Sequence, residues 1–192
     1  MPSEKAPWWA EALRDFFLGM RTEDALRAAI APGAEVVGMV TKEIEIGSGY
    51  SVAEDEARKR AQIVAFMRSQ IGKTYKLGAE VKPYTDSEVW DCSEITEQAY
   101  GRVGLSLPDG SPYQFEACQP VRSPLAGDLG FLWSDAWKRI GHVLVYTGEG
   151  TVVHAVGGRG VVEDPRGVWE VHTRWRGWRR HVDFARGPED RA

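Results

Sequence analysis

One cysteine and two histidines have the residue types and positions expected of a thiol hydrolase. Cys92 directly follows Asp91 at the start of a run of helix-forming residues, whereas His142 and His154 lie inside the short apolar runs GHVLVY and VVHAV. A thiol can attack a carbonyl carbon when a neighbouring imidazole removes its proton and a third polar group orients that imidazole. The three residues therefore form a candidate triad, with Cys92 as the nucleophile and the two histidines as base and orienting group.

The residues around Cys92 predict that it occupies the first position of a helix. Asp91 and Glu94 have the spacing of a capping box, which makes Asp91 the N-cap residue. The positive end of a helix stabilises a thiolate, and the thiolate is the reactive form of cysteine. Free cysteine is also a common buried core residue, so a purely structural Cys92 is the alternative.

The two histidines must be brought together by the strands that carry them. The segment from Gly148 to Gly150 indicates a tight hairpin, and His142 and His154 lie six residues before and after Gly148. Residues in such positions can face each other across an antiparallel ladder. For either histidine alone, a structural role inside the sheet is the alternative.

The spacing of the cysteines and histidines is unlike that of a structural zinc site. The chain has two cysteines and four histidines, and neither a C-x-x-C nor an H-x-x-x-H pair occurs. A Cys–His–His site stays open on spacing alone, but we expect no metal, no cofactor and reduced cysteines. We assign no role to His172 and His181, which lie among tryptophans and arginines near the end of the chain.

Composition and patterning predict an α+β domain, residues 51–187, with helices packed on a central antiparallel sheet. The 192 residues are 43% hydrophobic with a net charge of −4, which argues against a nucleic-acid partner. Helical patterns precede short apolar runs separated by glycine, and the tail VWEVHTRWRGWRRHVDF is predicted as one or two further strands.

Residues 1–50 are predicted as a helical and extended N-terminal extension of unknown role, and residues 188–192 as a tail. Its segment PWWAEALRDFF carries four aromatic residues, so the extension is expected either to pack on the domain or to contact a protein partner. The sequence shows neither a signal peptide nor an apolar segment long enough to span a membrane. We therefore expect synthesis in the cytoplasm.

Six motifs follow one another along roughly residues 62–164. They are GKTYKLGAE, WDCSE, LSLPDGSPYQFEA, PLAGDLGFLW, GHVLVYTG and TVVHAV. Their order resembles the NlpC-type cell-wall peptidase family, papain-like cysteine peptidases of bacteria and their phages. The resemblance implies a papain-like fold, no cofactor, and hydrolysis of peptidoglycan stem peptides, usually between D-glutamate and the diamino acid.

The resemblance also implies a role for each site residue. Cys92 would be the nucleophile, His142 the general base and then acid, and His154 the residue that orients His142. The residues expected to contact substrate are Tyr75, on the acyl-donor side of the cleft, Asp91 and Ser93. The backbone N–H of Cys92 would contribute to the oxyanion hole.

Two residues depart from the family pattern. Glu94 and Leu144 stand where the family has glycine, which puts the identity of the substrate in more doubt than the type of reaction. The expected settings are a phage lysis or tail-associated enzyme and an enzyme that recycles wall fragments. An inert binding module with the same fold, and an amidase or acyltransferase acting on another substrate, are the alternatives.

Overall fold

The computed structural model describes residues 52–83 and 85–184. These residues form helices α1 (Val52–Ser69), α2 (Cys92–Gly101), α3 (Ser111–Ala117) and α4 (Arg166–Glu170), and strands β1 (Thr74–Tyr75), β2 (Val89–Trp90), β3 (Cys118–Val121), β4 (Leu129–Ser134), β5 (Arg139–Tyr146), β6 (Thr151–Val156), β7 (Gly160–Pro165) and β8 (Trp175–His181). The predicted N-terminal extension and the tail lie outside this part of the chain. No helix in the described ranges is both long and apolar enough to cross a bilayer.

Six of the strands form one antiparallel sheet in the order β3-β8-β4-β5-β6-β7. The predicted α+β architecture with a central antiparallel sheet is thereby confirmed. The tryptophan-rich tail supplies β8, which lies between β3 and β4, but the segment before it forms α4 instead of a strand. A separate parallel pair, β1 and β2, leads into α2.

The hydrophobic core is divided between the two faces of the sheet. Along β5, Val143 and Val145 belong to the cluster that contains Cys92, whereas Leu144 and Tyr146 belong to a second cluster. Alternate residues of a strand point to opposite faces, so the two clusters lie on opposite sides of β5. Leu144, one of the two departures from the family pattern, therefore lies on the face of β5 away from Cys92.

A buried charge cluster joins the first helix to two strands. Asp128, which immediately precedes β4, accepts hydrogen bonds from Arg60 Nη1 of α1 at 2.9 Å and from Arg180 Nη2 of β8 at 2.8 Å. The side chain of Asp128 is fully buried, and those of Arg60 and Arg180 are 7% and 1% exposed. Buried charges persist only when they are paired and hydrogen-bonded, so this cluster fixes the relative positions of α1, β4 and β8.

Candidate active site

Cys92 occupies the first position of α2, as predicted. Asp91 is the N-cap, and its Oδ1 accepts hydrogen bonds from the backbone N–H groups of Ser93 at 2.9 Å and Glu94 at 2.7 Å. Cys92 is 5% exposed and belongs to the main core cluster. The local sequence therefore places the thiol at a capped helix end, against the sheet.

His142 Nε2 and His154 Nδ1 are 2.8 Å apart, so the structure brings the two predicted histidines together. The register differs from the prediction, because Val145 pairs with Val153 and the hairpin is centred one residue after Gly148. The histidines are consequently diagonal neighbours instead of direct partners across the ladder. Diagonal positions are still within reach of long or aromatic side chains.

Cys92 lies where β5 and β6 part. The two strands pair at only two positions, at the hairpin end of β5. Beyond them, the backbone N–H of Val143 faces Cys92 and favours its thiolate form by hydrogen bonding. Since Val143 directly follows His142, Cys92 meets β5 one residue along the chain from the histidine pair.

Burial governs the protonation of the site when no substrate is present. It raises the pKa of Cys92 to about 12, the Asp91 charge adds to this, and the nearby backbone N–H groups offset only part of the shift. Burial, together with His154, lowers the pKa of His142 to about 3. At neutral pH the resting groups are a thiol and an uncharged imidazole. Burial therefore shifts the pKa of Cys92 in the direction opposite to the one expected from the helix end.

Three further residues surround the histidine pair, and sequence reasoning missed all of them. His154 Nε2 is 3.1 Å from Asp164 Oδ2, and Arg159 contacts both oxygens of the same carboxylate. The indole of Trp169 lies against the rings of His154 and His142, with centroid distances of 4.7 and 5.9 Å. The carboxylate orients His154, while the indole reduces the contact of both rings with water.

Asp164 could have been found from the predicted register of one more hairpin. In the β6–β7 ladder, His154 is paired with Val162, which places Asp164 two residues further along β7. This is again a diagonal position, and a carboxylate reaches the imidazole from it. The glycine-rich turn GGRG between the two apolar runs was the available signal.

The residues predicted to bind substrate all lie around Cys92. The pKa of Tyr75 is raised to about 12, first by burial and then by the charges of Cys92, once ionised, and Asp91, so its hydroxyl stays protonated at neutral pH. The Asp91 carboxylate accepts hydrogen bonds from Ser93 Oγ at 3.0 Å and from the backbone N–H of Gly78 at 3.1 Å. Asp91 and Ser93 thus build the helix start, and their contacts with substrate stay predictions.

Glu94 does not complete the capping box. Its Oε1 accepts hydrogen bonds from Gln98 Nε2 at 3.0 Å and from the backbone N–H of Val81 at 3.3 Å, and burial raises its pKa. One carboxyl oxygen of each of Glu94, Glu97 and Asp109 lies within 4.8 Å of the other two. Glu94 therefore fastens the loop before Cys92 onto α2.

The chain is similar in sequence to proteins named as probable endopeptidases. The chain is 41% identical over 115 residues to a probable endopeptidase of Corynebacterium glutamicum, covering 59% of this chain and 50% of the relative. It is 33% identical over 95 residues to the probable endopeptidase p60 of Listeria monocytogenes, covering 48% and 18%. The chain thus spans half or less of the length of these curated relatives.

Two solved structures share its fold. An NlpC/P60 family protein from Bacillus cereus matches with a TM-score of 0.56 at 24% identity, over 64% of this chain and 40% of that one. The peptidoglycan hydrolase RipB from Mycobacterium tuberculosis matches with a TM-score of 0.52 at 21% identity, over 67% and 66%. These likenesses show the papain-like fold. The sequence pattern of the NlpC/P60 family matches residues 72–180, more than half of the chain, and the chain therefore belongs to the NlpC/P60 family.

Proposed function

We propose that the chain is a cysteine endopeptidase that hydrolyses amide bonds in peptidoglycan stem peptides, at the D-glutamyl–diamino acid bond. Two observations carry the proposal: Cys92, at the start of α2, faces the backbone N–H of Val143, and the preceding residue, His142, contacts His154. Similarity to proteins named as probable endopeptidases, and to a structure named as a peptidoglycan hydrolase, supports the substrate class.

The reaction starts from neutral groups. As Cys92 Sγ forms a bond to the carbonyl carbon, its proton passes to His142, so that no isolated charge is left in the buried site. The carbonyl electron pair moves to oxygen, where the backbone N–H of Cys92 can donate a hydrogen bond. His142 then protonates the leaving amine, and water releases the acyl group from Cys92.

The surroundings of Cys92 support a polar acyl donor. Tyr75 keeps its hydroxyl proton and offers a hydrogen-bond donor, and Asp91 presents a carboxylate beside the thiol. Substrate selection would act through these two groups and through the loop that Glu94 fastens by way of Val81. A substrate amine is the natural partner of a carboxylate at this position, because an ion pair in a partly buried site is only weakly screened.

The test is hydrolysis of purified stem peptides followed by mass spectrometry. Cys92→Ala should abolish release of the diamino acid fragment, because the nucleophile is gone. Cys118→Ala is the matched control, since it removes the other buried thiol, which belongs to the same core cluster, and should keep activity. Equal cleavage by the parent and Cys92→Ala would contradict the proposal.

The absence of cleavage by the parent would favour the inert binding module. Cleavage at a different amide would keep the thiol chemistry and correct the substrate bond. Two settings are proposed from the family resemblance, a phage lysis or tail-associated enzyme and an enzyme that recycles wall fragments, and the neighbouring genes distinguish them. A holin or tail gene supports the first setting, and genes for wall recycling support the second.

A further inference from the structure

The two histidines belong to a longer chain of hydrogen bonds that reaches solvent. It runs from His142 Nε2 to His154 Nδ1, from His154 Nε2 to Asp164 Oδ2, and from Asp164 to Arg159. Arg159 Nη1 lies 2.9 Å from Oδ2 and Arg159 Nη2 lies 2.7 Å from Oδ1 of the carboxylate. The order of donors and acceptors in this chain decides which nitrogen of His142 can take a proton.

Asp164 fixes which atoms donate and which accept along this chain of hydrogen bonds. The hydrogen bonds from Arg159 lower the pKa of Asp164 to about 2, so the carboxylate is ionised and can only accept hydrogen bonds. His154 Nε2 must therefore carry a hydrogen and donate it. Burial lowers the pKa of His154 in spite of Asp164, so the ring is neutral at pH 7 and its Nδ1 holds a lone pair.

The tautomer of His154 in turn determines the tautomer of His142. Because His154 Nδ1 accepts, His142 Nε2 must donate, and Nδ1 of His142 is left with a lone pair that can take a proton. In the reverse order, His154 Nε2 would present a lone pair to a carboxylate oxygen 3.1 Å away, and both atoms would be acceptors.

We propose that Asp164, held by Arg159, is a positioning residue that fixes the tautomers of both histidines, so that Nδ1 of His142 is the proton acceptor for Cys92. The assignment rests on the proposed thiol hydrolysis. When the S–C bond forms, the thiol proton moves to Nδ1 of His142, which then carries hydrogen on both ring nitrogens. The Nε2–H group keeps donating to His154, and Asp164 stabilises the new positive charge without taking a proton.

The tautomers can be measured directly in the full chain. Long-range proton–nitrogen correlations of 15N-labelled protein at pH 7.5 distinguish the two ring nitrogens, and the chain has only four histidines to assign. The parent should show His142 and His154 as Nε2–H tautomers. Asp164→Ala should give a measurable Nδ1–H fraction of His142 and lower kcat about tenfold to 100-fold, as loss of an orienting partner commonly does, with little change in KM.

Two further variants complete the test. Glu163→Gln removes the neighbouring carboxylate of β7, which contacts Arg68 and Thr151 instead of His154, and should leave tautomers and kcat unchanged. Asp164→Asn keeps the side-chain size but can either donate or accept, so it should also admit both tautomers. Asp164→Asn replaces Asp164→Ala in the measurement if the alanine variant does not fold.

A His142 ring that stays wholly in the Nε2–H form in folded Asp164 variants would overturn the assignment. Loss of activity with unchanged tautomers would overturn it too, because Asp164 would then be a structural residue. If the parent cleaves no stem peptide, the proposed function fails. The tautomer measurement still decides whether Asp164 sets the tautomers of His142 and His154.

Discussion

Replacing Asp128 by asparagine tests the buried charge cluster. The substitution keeps the shape of the side chain but removes the negative charge that Arg60 and Arg180 contact, although Arg60 keeps its contact with Glu56 at 2.8 Å. Removing one partner of a buried ion pair typically costs about 3–5 kcal/mol, because the remaining charge stays out of water. A domain of this size loses about 3 °C of Tm per kcal/mol, which gives an expected fall of roughly 10–15 °C.

The assay is thermal unfolding followed by circular dichroism, with urea unfolding as a second measure. Asp135→Asn is the matched control, because it breaks an exposed ion pair with Arg174. The side chain of Asp135 is 57% exposed and that of Arg174 is 50% exposed. Exposed pairs contribute about 0–1 kcal/mol, so this variant should melt within a few degrees of the parent. Equal Tm values for Asp128→Asn and Asp135→Asn would refute the reasoning, since burial would then make no difference.

Three further predictions concern the site and the sheet. With Cys118→Ala as background, alkylation of Cys92 should rise tenfold per pH unit up to about pH 10, because its raised pKa keeps the thiolate scarce below that value; a plateau below pH 7 would show a resting ion pair instead. Trp169→Leu should let water reach His142 and raise its lowered pKa towards the ordinary value, so the acidic limb of the kcat/KM profile should move to higher pH by at least about one unit. Gly130→Ala places a methyl 2.5 Å from a neighbouring leucine carbon, and the Tm should fall with a cost of about 1–3 kcal/mol; an unchanged Tm would mean that the sheet relaxes freely there.

The start of α2 was predictable from sequence because its determinants are local. The Asp91 side chain caps the helix within three residues of itself, so residue type and spacing suffice. The strands were predictable for a similar reason, since glycine interrupts the apolar runs. The hairpin register was not, because Gly148 and Gly150 both have positive φ, and the pattern does not say which residue lies at the centre.

The remaining parts of the site depend on contacts between distant segments. The contact between Asp164 and His154 depends on the register and twist of β6 and β7, and Trp169 reaches the histidines from a helix in a segment whose pattern indicated a strand. The direction of the pKa shift of Cys92 follows from its burial against the sheet, whereas the helix start alone suggests the opposite sign. Local pattern identifies the candidate reactive groups, and tertiary packing sets their protonation.

The position of β8 has a consequence for the order in which the domain folds on the ribosome. β3 and β4 do not pair with each other, and each is joined to the sheet on one side by β8, which is translated more than 40 residues after β4. A nascent chain that has emerged only as far as β7 has β3 detached and one edge of β4 unpaired, and unpaired edges are templates for aggregation. β4 is also the strand that supports β5 and thus His142. Hydrolytic activity should therefore appear only after the residues of β8 have left the exit tunnel, and polypeptides cut short before Trp175 should be captured by chaperones or degraded.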